Sequence, residues 1–284
     1  MSRFDRLPPW TVALTSMFSV QLGSALSINL IAKVGPAGSA WLRIMAAAIF
    51  FIAWKRPSIK AIKKIDILPI VVLGVVNGLA TSAFMAAIAR IPLGTTVAIE
   101  FLGPMIVAAK QRTTKRALAW PIIAFAGVAL LTQLWQGRLN LAGLLFAAFA
   151  GIGWGLYVVL TQRIGDRFEG ATGLALTMPI AAVAAAIIGA PQAIGRIDLY
   201  VVGISLGLAI LFPILPYALE MYALRRMTHN AFGTLMAIEP AIGTLLGLII
   251  LHQMPNAIEL IGLTLVVVAG VAAQRNGLRE MDNI

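Results

Sequence analysis

The sequence predicts an all-α polytopic membrane protein of ten transmembrane helices, arranged as two inverted five-helix repeats around a central cavity. Three observations predict it: an apolar composition, ten separable apolar runs, and an alternation of positive charge between the loops joining them. Of 284 residues, 60% are hydrophobic and 12% charged, with a mean hydropathy of +0.92. Soluble domains carry about 25% charged residues, so water-soluble enzymes, disordered chains and coiled coils are excluded. Cysteine is absent, which removes disulfides, thiolate metal sites and a cysteine nucleophile. A net charge of +11 would suggest nucleic acid in a soluble chain, but here it falls at membrane edges.

A bilayer core about 30 Å thick takes roughly 20 apolar residues as a helix. Such runs lie at Pro9–Ala32, Pro36–Trp54, Ile67–Ala89, Pro92–Ala109, Ala117–Leu134, Leu139–Thr161, Gly170–Ile194, Ile197–Leu224, Asn230–Leu251 and Asn256–Ala273. Arg3 and Arg6 before the first run resemble the start of a secretory signal. The run is long, however, and lacks a small-x-small cleavage site, so it is read as a retained helix.

The 22 Lys and Arg test the span count independently. Arg3, Arg6, Lys55, Arg56, Lys60, Lys63, Lys64, Lys110, Arg112, Lys115, Arg116, Arg163, Arg167, Arg225, Arg226, Arg275 and Arg279 fall on one side. Lys33, Arg90, Arg138 and Arg196 fall on the other, and Arg43 lies within a span. Cytoplasmic loops retain positive charge, so both termini are expected in the cytoplasm. The basic loop around 55–66 suits anionic lipid headgroups.

Five spans per half place the second half upside down relative to the first, with repeats at 1–137 and 138–284. Gly94-Thr95-Thr96-Val97-Ala98-Ile99-Glu100 matches Gly233-Thr234-Leu235-Met236-Ala237-Ile238-Glu239 at five of seven positions, in the fourth helix of each half. The segments 30–35 and 160–165 end helices one and six, and 126–129 answers 269–272 in helices five and ten. Inverted repeats allow a central site to open to one side and then the other. They suggest a secondary transporter; duplication without transport is the alternative.

An ionisable residue at the bilayer centre costs about 2.5–3.5 kcal/mol on insertion scales and is often functional. Glu100 and Glu239 fall near the middle of helices four and nine. Each is read either as a carboxylate that pairs with a substrate ammonium or carries a proton, or as one satisfied by interior polar groups. Pro213 and Pro216 should bend or break helix eight and free backbone carbonyls. Glu220, on the same face as Tyr217, is expected to pair with Arg225 or Arg226. Arg43 is expected to hold interior carbonyls or reach outward, or to bind a substrate carboxylate. Gln21, Asn77, Thr81, Trp154 and Tyr157 supply hydrogen-bonding groups and aromatic walls for a small cavity. Glycines 151, 153 and 155, with Gly243 and Gly247, read as close helix contacts.

No metalloprotease, P-loop or nucleophile-elbow motif occurs. His229 and His252 lie near span ends, and neither a catalytic residue, a metal nor a cofactor is expected. Any driving force must come from gradients or a partner, with protons one candidate for the coupling ion.

The segments Pro92–Pro104, Leu215–Met221 and Phe232–Pro240 make the chain resemble the drug/metabolite transporter superfamily, in particular its ten-helix members with two EamA repeats. Within it the likeness is to threonine/homoserine exporters and the aromatic amino-acid exporter type. The resemblance implies an inner-membrane exporter with a cavity lined by Gln21, Asn77, Thr81, Glu100, Trp154, Tyr157, Tyr217 and Glu239. Arg43 matches the family's arginine in helix two, whereas helix seven has Met178 at the corresponding place. The expected substrates are small neutral amino acids such as threonine, homoserine or methionine, moved by alternating access. Aromatic amino acids, nucleosides or drugs are the alternative cargo, and a membrane-embedded enzyme or structural subunit the more distant reading.

Overall fold

A computed structural model describes residues 8–57, 62–110, 119–133, 135, 140–165, 167–168, 171–224, 226 and 229–275. The repeat boundary at 137/138 lies outside them, as do the basic positions Arg3, Arg6, Lys60, Arg112, Lys115, Arg116, Arg138, Arg225 and Arg279. The elements are α1 (Pro9–Val34), α2 (Pro36–Lys55), α3 (Lys64–Ile88), α4 (Leu93–Lys110), α5 (Ala119–Thr132), α6 (Leu141–Gly165), α7 (Ala171–Ala193), α8 (Leu199–Ala209), a π turn (Ile210–Ile214), α9 (Leu215–Leu224), α10 (His229–Met236), α11 (Glu239–Leu251) and α12 (Ala257–Arg275). Each of the ten apolar runs is helical over most of its described residues. The eighth is divided into α8, the π turn and α9, and the ninth into α10 and α11.

Among the described residues, seven stretches are long and apolar enough to cross a bilayer, and three shorter apolar helices lie at Leu93–Ala108, Ala119–Thr132 and Ala257–Ala273. Large apolar side chains such as Leu68, Ile122, Ile187 and Leu199 stand exposed, which only a lipid solvent makes favourable. Trp10, Trp54, Trp135 and Tyr200, also exposed, occupy span ends in the manner of interfacial aromatic residues.

Between the first five spans and the last five, α2 packs along α7, α5 along α12, and α4 along α11. The α3–α6 contact is answered by α1 against α8, the π turn and α9, and the α4–α6 contact by α1 against α10 and α11. Exchanging the two sets of five therefore leaves these contacts in place. Small residues make these approaches possible. A Cβ on Gly103 of α4 would collide with the backbone oxygen of Gly151 in α6, and one on Gly78 of α3 with that of Ala181 in α7.

Helix ends are satisfied across the bundle. The Gln192 Oε1 of α7 accepts from Ala37 N at 3.0 Å and Gly38 N at 3.4 Å, two donors that the start of α2 leaves without intrahelical partners. The Gln253 Oε1 does the same for Leu93 N at 2.9 Å at the start of α4. The junction between α1 and α2 turns on Gly35 at φ 77°, a backbone region glycine enters without cost.

Candidate functional site

The eighth span is interrupted where its prolines predict. Phe212 has φ −161° and ψ 117°, and the peptide bond to Pro213 is cis. The interruption leaves carbonyls without helical donors, and in lipid each must find a partner inside the protein. Ser19 Oγ donates to Leu211 O at 2.7 Å and Arg43 Nη2 to Phe212 O at 3.2 Å, while Ser16 Oγ reaches Pro216 O in the first turn of α9 at 3.2 Å. Ser16 and Ser19 were not singled out in the sequence. The signal was available: their spacing of three places them on one face of α1.

Arg43 is 1% exposed and sits roughly 10 Å into α2, at 1.5 Å per residue from Pro36. Its Nη1 donates to Ser27 Oγ at 2.6 Å and approaches Met85 Sδ at 3.4 Å. Nε has no partner, and no acidic side chain among the described residues forms an ion pair with this guanidinium. A buried cation held only by neutral acceptors is costly unless an anion completes its shell.

Arg43 borders a cleft with Ile44, Asn77, Thr81, Met178, Phe212, Pro213 and Tyr217, of volume about 10 Å³. That is near the lower limit for a single water molecule, so the walls must part to admit anything larger here. Thr81 Oγ1 donates to Asn77 Oδ1 at 3.4 Å, and Asn77 Nδ2 approaches Met178 Sδ at 3.9 Å. Asn77 and Tyr217 face each other across this cleft as lining residues. The rings of Tyr157 and Tyr217 stack at 6.4 Å and 25°.

The carboxylates form a second polar group. Glu239, 5% exposed, opens α11 after the chain leaves α10, so it occupies the positive end of a half-helix. Glu100 lies within the continuous α4, part-buried. Glu239 is within electrostatic reach of both Glu220 and Glu100. Glu220 accepts from Ser16 Oγ at 3.3 Å and is also near Tyr157 and Tyr217. Of its expected partners, Arg225 lies outside the described residues and Arg226 is exposed.

The structure thus brings Asn77, Thr81 and Tyr217 together with Arg43 and Pro213, and stacks Tyr157 on Tyr217. Gln21 is buried beside Gly243 of α11, its Oε1 without a partner. Trp154 turns toward α4, edge-on to Phe101 at 6.2 Å and 62°, and does not line the cleft at Arg43. Pro216 is buried within α9.

A helical membrane bundle whose interrupted spans converge on buried polar groups is the architecture of a transporter. Residues 141–272 match the EamA-like transporter family. The threonine/homoserine exporter RhtA of Escherichia coli K12 is 33% identical over 98% of this chain and 97% of its own. The protein of the same name from Salmonella typhimurium LT2 is 33% identical over 97% of this chain and 95% of its own. A solved crystal structure superimposes with a TM-score of 0.61 at 17% identity, covering 93% of this chain and 97% of that one, a likeness of fold. The chain belongs to the EamA-like transporters of the drug/metabolite transporter superfamily, and its relatives are exporters rather than enzymes.

Proposed function

We propose that the protein exports small neutral amino acids, threonine and homoserine first among them, across the bacterial inner membrane by alternating access. Its halves, 1–137 and 138–284, are inverted copies, and both termini face the cytoplasm. The observation that carries the substrate class is the buried Arg43 guanidinium at the cleft, which has a free Nε and no acidic partner among the described residues. In a chain similar along its whole length to threonine/homoserine exporters, the anion that completes its shell is the substrate α-carboxylate. A bidentate carboxylate suits a guanidinium better than any single acceptor does. Asn77, Thr81 and Tyr217 face the remaining polar atoms of the substrate. Glu100 and Glu239 provide a site for a proton or for the substrate ammonium at a different point of the cycle.

Thermal denaturation of the purified protein in detergent tests the reading. Threonine and homoserine are expected to raise the melting temperature, while threoninol, which lacks the carboxylate, does not. Arg43→Lys weakens the effect of threonine. Stabilisation by nucleosides, aromatic amino acids or apolar drugs with none by threonine would overturn it.

A further inference from the structure

Two ion pairs tie the first five spans to the last five, one at each end of the bundle. At the first, Asp66 in the opening turn of α3 bonds Arg167, just beyond the end of α6. At the second, Asp198, which caps the start of α8 through Val201 N at 2.7 Å, faces Lys33 at the end of α1 at 3.9 Å. The acids stand in matching sequences, Lys64-Ile65-Asp66 and Arg196-Ile197-Asp198. Their separation fits between those of the other matched segments, 30–35 with 160–165 and 94–100 with 233–239. The cations come from the ends of the corresponding spans one and six, Arg167 lying one helical turn further along than the counterpart of Lys33.

The two pairs are unequal. The difference lies in the acids, since Arg167 has a side chain 46% exposed: Asp66 is 6% exposed and also accepts from Lys63 N at 3.2 Å, so loss of its cation strands a buried carboxylate. Lys33 and Asp198 have side chains 48% and 59% exposed, and such pairs contribute little while solvated. Asp66 and Arg167 lie on the side that collects the basic loops, and Lys33 and Asp198 on the other.

We infer that Asp66–Arg167 and Asp198–Lys33 are reciprocal latches that close the cytoplasmic and outer ends of the transport pathway in turn, the cytoplasmic latch being the one engaged in this structure. The inference rests on the alternating-access reading above. Inverted halves that separate at one face while meeting at the other must break one inter-half pair as the other tightens. A buried, fully bonded acid at one end and a loose, solvated pair at the other is the pattern expected of one such state.

The chain has no cysteine, so single cysteines report access without further engineering. Thr161→Cys near the end of α6 and Ile31→Cys at the matching position of α1 are labelled with a membrane-impermeant maleimide in oriented vesicles. Arg167→Gln, which leaves the Lys63–Asp66 bond in place, should raise the labelling rate at position 161 several-fold from the cytoplasmic side and lower it at position 31. Arg167→Lys should restore both rates, and Lys33→Gln should act in the opposite sense with smaller size. If threonine shifts the two reporters in opposite directions but Arg167→Gln shifts neither, the latch is overturned and alternating access stands. If neither threonine nor any of these substitutions shifts either reporter, the alternating-access reading fails with it.

Discussion

The Arg43 guanidinium donates from Nη2 to the carbonyl oxygen of Phe212 at 3.2 Å, joining a buried cation of the second span to the non-helical residue of the eighth. The two are 169 positions apart, so the break in the eighth span is held by the other half of the chain. Arg43→Ala removes the donors to Phe212 O and Ser27 Oγ together. An unsatisfied buried acceptor costs about 1–3 kcal/mol, and a fall in melting temperature in detergent is the expected result. Arg43→Lys retains the charge and should recover part of it.

The α4–α6 contact depends on the absence of a side chain at Gly103. A methyl there meets the backbone of Gly151 and Gly155, which has no rotamer to yield. Gly103→Ala should destabilise the protein by about 1–3 kcal/mol through forced backbone shifts. Gly203→Ala is the control, since nothing lies within 4 Å of a Cβ built there. Parallel melts should show a loss for the first and none for the second, where alanine is the better helix former by about 1 kcal/mol.

Gln192 acts at a distance of sequence as an N-cap acts locally. Gln192→Ala strips the acceptor from Ala37 N and Gly38 N, and loss of a cap costs about 0.5–2 kcal/mol. Hydrogen exchange should quicken at the first turn of α2, with the α3–α6 contact unchanged.

The carboxylates separate coupling from binding. If Glu239 carries the coupled proton, Glu239→Gln should abolish export driven by a proton gradient while leaving exchange of labelled for unlabelled threonine in place. Glu100→Gln, in the unbroken α4, should lower exchange as well, because it removes the charge proposed to meet the substrate ammonium. Normal proton-driven export by both variants would remove the carboxylates from the coupling step.

The spans were legible because the bilayer sets their length and polarity, so composition alone locates them. The interruption of the eighth was legible too, since Pro213 removes a backbone donor wherever it sits in a helix. The interruption of the ninth was not anticipated, although Glu239 followed by Pro240 is the pattern of a helix start. Apolar content on both sides concealed it. The environment of Arg43 was beyond the sequence reading: its partners come from α1, α3 and the π turn, and only their packing shows that none is an acid. Trp154 is read as a cavity wall because aromatic residues suit one; that its ring meets Phe101 of α4 is a packing relation periodicity does not reveal.

Counterflow in proteoliposomes tests the central claim most directly, that this chain moves amino acids through a site built on Arg43. Vesicles loaded with unlabelled threonine and diluted into trace labelled threonine should accumulate the label transiently. Threoninol inside should fail to drive it, and Arg43→Lys should reduce it. Absence of counterflow for threonine, homoserine and a wider panel of amino acids, in protein that remains folded, would contradict the account.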